Sequence, residues 1–199
     1  MNFKTAALVA IGILSLASTS PAGDITGTVS CKGARDNRDV VVYVRTVAGK
    51  FPPPEQHAMM DQKNLVFVPH VLPIVGGTTV DFRNDDDVMH NVFSPSKEAG
   101  QFNLGSWPKG ENRSYTFAAC DTLCHPVILC NVHPEMSAYV VVLKNPYFAV
   151  TDKAGSFTIK GLAAGDYQLD LWHEKLKGEG CKVTVPDKGA ATVALEMHH

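Results

Sequence analysis

The sequence is poor in net charge, in helical periodicity and in apolar runs of membrane-spanning length. Eighteen Lys and Arg against twenty Asp and Glu leave a formal charge of −2. So small an imbalance gives no basis for steering toward nucleic acid or an anionic membrane surface, and neither is expected as a partner. The apolar stretch "TAALVAIGILSLAS" (Thr5 to Ser18) falls short of the roughly 20 residues that a spanning helix needs, and no Lys/Arg cluster follows it. It lies between the positive "MNFK" and the small residues of Ser20-Pro21-Ala22, so residues 1–22 are expected to be a cleaved secretory signal peptide. No Cys stands at that point to take a lipid, and no stable membrane insertion is expected. The mature chain is therefore expected in the periplasm or outside the cell.

An even set of cysteines is also missing. The chain has five, and in an oxidising compartment thiols tend to pair, so one is left needing another explanation. Two bridges and one metal-bound thiolate account for all five.

What is present reads as short strands and turns. "ITGTVS" and "VVVYVRTV" are β-branched runs separated by the polar turn "CKGARDNRD". In "AGKFPPPEQHAMMDQKN" three consecutive prolines cannot sit in a sheet interior, so this segment is expected to be a linker or covering loop. Strand character resumes in "LVFVPHVLPIVGGTTVDFRN", "HNVFS", "SYTFAA", "PVILC" and "AYVVVL". From Asn145 onward, alternating residues and the turns "DKAG" and "AAGD" lead to the last strands, "CKVTV" and "ATVALEM". The fold class is all-β.

The strand, D-x-x-G turn and G-D-Y strand after Asn145 resemble the carboxypeptidase regulatory-like family of small β-sandwiches. In that family a "GxVxG"-type strand and a "VVVYV"-type strand come before the D-x-x-G turn. Here those two strands lie about a hundred residues upstream, within Gly23 to Val47. The resemblance implies a discontinuous sandwich from residues 23–49 plus 146–199, with a second domain over 50–145 inserted at a loop, where insertions are tolerated. The alternative is a continuous C-terminal domain, with residues 24–48 contributed to the other domain. In the discontinuous reading Cys31 and Cys181 share one sandwich and have no other partner, so a disulfide between them is expected.

The inserted segment carries "HNVFS" and "LCNVHPEM". Cys130, His133 and Met136 follow the spacing C-x2-H-x2-M, and a thiolate, an imidazole and a thioether form a donor set that suits copper. Each residue taken alone reads as ordinary: a buried small Cys, a gap-filling Met, two loop histidines. Together, in this order and in an all-β chain, they resemble the cupredoxins, particularly the plastocyanin and amicyanin group, over Leu65 to Leu143. The resemblance implies a Greek-key β-sandwich with one type 1 copper ion. His90, Cys130 and His133 would be its strong in-plane ligands and Met136 its long axial one. It also implies a hydrogen bond between the segments of Asn91 and Asn131, beside the first His and the Cys, of the kind that orients ligands.

"FAACDTLCHPVILC" departs from the family pattern. Cys120 and Cys124 read as a small disulfide closing the turn; a second thiol or copper site with His125 is the competing reading. Ile128 stands where a dinuclear copper centre needs a His.

Other absences bear on catalysis. Copper enzymes built from such domains pass electrons through His residues flanking the Cys, but here the flanks are Leu129 and Asn131. "WHE" (Trp172 to Glu174) lacks the second His of a zinc helix motif; His173 and Glu174 are expected at a strand end or facing the neighbouring domain. The resemblance therefore implies a carrier of single electrons and not an enzyme. Redox protein partners are expected to dock near His133, by way of Pro134 and Pro95, with Asp85 to Asp87 as a steering patch. Copper storage or delivery is the alternative, since "HAMMDQK" and the terminal "MHH" offer extra donors.

Overall fold

A computed structural model describes residues 22–199, so the expected signal peptide lies outside the described residues except for Ala22. Among the described residues there are sixteen strands and no helix. In chain order they are β1 (Ala22–Cys31), β2 (Val41–Val44), β3 (Ala58–Lys63), β4 (Val66–Val68), β5 (Val71–Val75), β6 (Thr79–Asn84), β7 (His90–Ser94) and β8 (Phe102–Trp107). They continue as β9 (Asn112–Thr116), β10 (Val127–Leu129), β11 (Ser137–Leu143), β12 (Phe148–Val150), β13 (Ser156–Ala163), β14 (Gly165–Trp172), β15 (Cys181–Val185) and β16 (Ala190–Met197). The protein is all-β.

The strands form four sheets, ordered β13-β1-β16, β12-β2-β14-β15, β5-β11-β10-β7-β8 and β4-β3-β6-β9. The first two share a core of Ile25, Val42, Phe157, Ile159, Leu169 and Leu195. The last two enclose Met60, Phe82, Trp107, Phe117, Ile128 and Val140. A third apolar cluster of Val41, Val71, Val141, Leu143 and Trp172 fills the space between the two sandwiches.

That third cluster explains the two densest apolar runs. Side chains alternate along a strand, so a sheet buried on both faces needs apolar residues at every position. In "VVVYV" Val40, Val42 and Val44 enter the first core, while Val41 and Tyr43 turn to the cluster between sandwiches. In β11 Ala138, Val140 and Val142 enter the other core, while Tyr139, Val141 and Leu143 turn to that same cluster. Full burial of each such Val or Leu is worth about 1.5–3 kcal/mol relative to exposure. Polar ties reinforce the join: Asn145 Nδ2 donates to the Val44 carbonyl at 2.9 Å, and His70 Nε2 lies 3.2 Å from Glu174 Oε1.

The D-x-x-G turn before β13 depends on its glycine. Asp152 Oδ1 accepts the N–H groups of Ala154 and Ser156, both at 2.9 Å, and Gly155 sits at φ +86°. A Cβ there meets the Val29 carbonyl oxygen. Gly155→Ala is expected to cost about 2–3 kcal/mol of stability, read as a lower urea midpoint at unchanged m-value, because the strained conformation and the clash add.

Two expectations need correction. The expected Cys31–Cys181 bridge is not formed, and both residues are free thiols. Cys31 ends β1 beside Met197 of β16, whereas Cys181 opens β15 beside Leu169 of β14. Those strands belong to different sheets of one sandwich. Sheets stack about 10 Å apart, but a disulfide needs Cα atoms within about 7 Å. Burial pushes both thiols above the ordinary cysteine range, helped at Cys31 by the nearby Asp36 carboxylate, and so disfavours the thiolate form. The second correction concerns "HAMMDQK", which is not loop: Ala58–Lys63 is strand β3, between β4 and β6. Its alternation buries Met60 and Gln62 and leaves Met59 outside. Asp, Gln, Lys and Met carry little strand propensity, and the upstream prolines masked the signal.

Candidate metal centre

β10 lies between β7 and β11, so three neighbouring strands deliver the candidate ligands to one end of the sheet. His90 opens β7, and Cys130 follows the last residue of β10, whose Leu129 pairs with Phe93 of β7 and Ser137 of β11. The connection from β10 to β11 is a tight turn in which the Met136 N–H donates to the His133 carbonyl at 3.0 Å. Pro134, next after His133, is preset for the second position of such a turn. "HPEM" is thus a local fold that holds His133 and Met136 a fixed distance apart.

His90, Cys130 and His133 come together, with one donor atom from each within 4.8 Å of the others. His133 Nδ1 lies 3.0 Å from His90 Nδ1, and Cys130 Sγ lies 4.0 Å from His90 Nδ1. Metal bonds of about 2.0–2.3 Å to nitrogen and sulfur span such gaps. His90 is fully buried, Cys130 nearly so, and His133 keeps a partly exposed edge. Met136 is buried in the same apolar cluster as Cys130. A thiolate sulfur and two imidazoles beside a thioether fit copper in their chemistry.

Hydrogen bonds around the donors orient them. The Asp86 carboxylate lies 2.9 Å from His90 Nε2 and, being an acceptor, places the ring proton there and leaves the Nδ1 lone pair facing the centre. Asp86 also accepts the N–H groups of Asn64 at 2.6 Å and Leu65 at 2.9 Å. Burial acts to raise this carboxyl, but the bonds from Leu65, His90 and Asn64 hold it below its ordinary range and keep it an acceptor. The buried Asn84 shapes the loop that carries it, accepting the Asp86 N–H and donating to the carbonyls of Val88 and Trp107.

Asn91 joins the two ligand segments. Its N–H points at Cys130 Sγ (3.4 Å) and its Oδ1 accepts the Asn131 N–H at 3.3 Å, while its Nδ2 donates to Asn103 and Gly105. The expected contact between these segments is therefore present, made by the backbone of Asn131 and not its side chain.

The other candidate residues fall elsewhere. Cys120 and Cys124 are joined as a disulfide, and the His125 ring lies tilted against Trp172 with ring centroids 5.4 Å apart; none of the three belongs to the His90, Cys130 and His133 group. His57 is paired with Asp81 at 3.0 Å, Met60 is in the core, and His198 pairs through its backbone with Lys177. The acidic run is not a free patch: Asp85 binds Arg83 at 2.6 Å, Asp87 binds Lys109 at 2.8 Å, and Asp86 faces His90. Around His133 the loop exposes Asn131, Val132, Pro134 and Glu135, with Val132 48 % exposed, and Met89, next to His90, is 51 % exposed. His173 and Glu174 follow the end of β14, and Glu174 reaches His70.

Asp86 was not legible in the sequence, because an Asp run after a strand reads as a solvated turn. Asp86→Asn places an N–H donor among groups that need an acceptor. It is expected to weaken copper binding by about 10–100-fold, measured by competition with a chromophoric chelator.

A family model described as polysaccharide lyase family 4, domain II, matches residues 135–193, which run from the "HPEM" turn into β16. It does not name the carboxypeptidase regulatory-like module. No curated protein matches the chain. Among solved structures, the chain is similar to a copper-containing nitrite reductase from Thermus scotoductus SA-01, at 26% identity and TM-score 0.40, over 50% of this chain and 25% of that one. The chain thus spans about a quarter of that enzyme's length. It is also similar to a purple cupredoxin from Nitrosopumilus maritimus, at 25% identity and TM-score 0.37, over 43% of this chain and 98% of that one. The reduced P52G mutant of amicyanin matches at 20% identity and TM-score 0.40, over 51% of this chain and 97% of that one.

Proposed function

We propose that this chain is an exported copper protein of the cupredoxin type, built as one copper-binding sandwich over residues 50–145 inserted in a second sandwich. In this reading His90, Cys130 and His133 would hold one type 1 copper ion, and the buried Met136 would supply a further, weaker sulfur donor. The observation that carries it is the convergence of His90 Nδ1, His133 Nδ1 and Cys130 Sγ within 4.8 Å, at the buried end of three adjacent strands. Bound copper supplies a one-electron couple.

The chain's own residues supply the rest. Asp86 fixes the His90 tautomer, and the Asn91 N–H bond to Cys130 Sγ stabilises charge on sulfur. The tie from Asn131 to Asn91 keeps the two ligand segments in register, and the surrounding core of Phe82, Trp107 and Ile128 excludes water. A site held this firmly changes little between oxidation states, which favours fast electron transfer. His133 is the exit point in this reading, since it keeps a partly exposed edge and its sequence neighbours Val132 and Pro134 are exposed, a small surface suited to brief docking of redox proteins.

No catalytic role is proposed, because Leu129 and Asn131 offer no imidazole bridge to a second metal. Redox titration of the copper-loaded protein tests the carrier reading. One reversible electron per chain, with copper retained against a chelator through repeated cycles, supports it. Copper lost on each reduction favours delivery instead.

A further inference from the structure

We propose that Glu174, from the sandwich that holds no copper ligand, is a positioning residue for the ligand loop and acts through His70. The proposal rests on the copper reading above and gives the second sandwich a part in it.

Glu174 stands just beyond β14, and its Oε1 lies 3.2 Å from His70 Nε2. His70 precedes β5, and its Nδ1 lies 3.1 Å from the carbonyl oxygen of Ser137, the residue that follows Met136. The His70 carbonyl accepts the N–H of Tyr139 at 2.9 Å. His70 thus grips the start of β11 by ring and by backbone, at the point where the ligand loop rejoins the sheet.

Both ring nitrogens face acceptors, one a carbonyl and the other a carboxylate. Each contact holds one edge of the ring, and the Glu174 carboxylate at Nε2 keeps the Nδ1 edge turned toward Ser137. Burial acts to raise the Glu174 carboxyl, but His70 and Lys175 hold it below its ordinary range, so it stays ionised. The turn that presents Glu174 is itself fixed, because His173 Nδ1 accepts the N–H groups of Lys175 and Leu176. Tyr139 packs edge-on against His70 (5.9 Å) and against Trp172 (5.4 Å), which leaves the ring little room to turn.

The consequence falls on Met136. His90 and Cys130 are placed by β7 and β10, whereas Met136 is placed by the turn before β11. A copper ion held here would have a reduction potential that responds to how Met136 is held.

The test uses the full chain with Glu174→Ala, Glu174→Gln and, as control, Arg45→Ala, which breaks the exposed Arg45–Asp170 pair elsewhere in the same sandwich. Hydrogen exchange of the Met136 and Tyr139 amides is read in copper-free protein, and the Cu(II)/Cu(I) affinity ratio in loaded protein. Glu174→Ala is expected to speed exchange at both amides and to shift the ratio by about threefold to tenfold. Glu174→Gln, which keeps an oxygen acceptor, recovers part of each, and Arg45→Ala changes neither. Wild-type exchange and ratio in Glu174→Ala, or equal changes in Arg45→Ala, overturn the proposal. Faster exchange in Glu174→Ala, in a wild type that develops no thiolate-to-copper band, upholds the grip on the loop and rejects the copper reading.

Discussion

Cys130→Ser is expected to abolish the intense visible absorption of the copper-loaded protein while leaving its fold in place. The absorption of a type 1 site arises from thiolate-to-copper charge transfer, and Cys130 is the sole sulfur of the His90, Cys130 and His133 group. A serine hydroxyl is harder, holds its proton at neutral pH and cannot replace that electron donor. The side chain is nearly isosteric, and Cys130 is 2 % exposed. The stability cost is therefore that of a buried hydroxyl whose remaining neighbour is the Asn91 N–H, about 1–2 kcal/mol. Copper affinity falls by about 100-fold or more, because a direct ligand is lost where outer-shell changes alone cost about 10–100-fold. Far-ultraviolet circular dichroism and retention of the Cys120–Cys124 bridge separate this outcome from misfolding. A variant that keeps the wild-type band contradicts the ligand assignment.

The second large effect is structural. Trp172→Ala is expected to destabilise the protein by about 3–5 kcal/mol, the range for removing a large buried aromatic side chain. Trp172 is 9 % exposed and lies between Tyr139 and His125 of the other sandwich, with ring centroids 5.4 Å away in both cases. It belongs to the cluster with Val41, Val71, Val141 and Leu143 that joins the sandwiches. Losing it weakens the join more than either core. The chain has two tryptophans, so in this variant Trp107 is the one left to report by fluorescence, from inside the core that holds Cys130 and Met136. Urea unfolding of the variant is expected to give a Trp107 transition that no longer coincides with the circular dichroism transition, the sign that the two halves unfold separately. Coincident transitions at the wild-type midpoint contradict this view of the interface.

Most of the strands and the grouping of Cys130 with His133 were legible in the sequence, because both are written in short-range patterns. "CNVHPEM" needs only a tight turn to bring its donors to one end of the sheet. "VVVYV" and "AYVVVL" announce strands through continuous β-branched residues, although their double burial became clear only once Val41, Val141 and Trp172 were seen in one cluster. β3 escaped notice because its central residues, Met, Asp and Gln, have weak strand propensity and follow three prolines. Its place between β4 and β6 is decided by tertiary pairing. Cys31 and Cys181 show the limit of elimination as an argument, since two thiols in one core need not lie within bonding reach. Asp86 and the pair His70–Glu174 lay beyond sequence reasoning for different reasons. An acid in a run of three acids gives no sign of which one turns inward, and residues 104 apart meet only when the fold is known.

The central claim is that His90, Cys130, His133 and Met136 hold a single copper ion as a one-electron couple. Its most direct test is to titrate Cu(II) into the purified protein while recording visible and electron paramagnetic resonance spectra. The account predicts an intense thiolate-to-copper band that saturates at one ion per chain, bleaches on reduction and returns on oxidation. A weak band from copper held by nitrogen and oxygen alone, unchanged in Cys130→Ser, would contradict it.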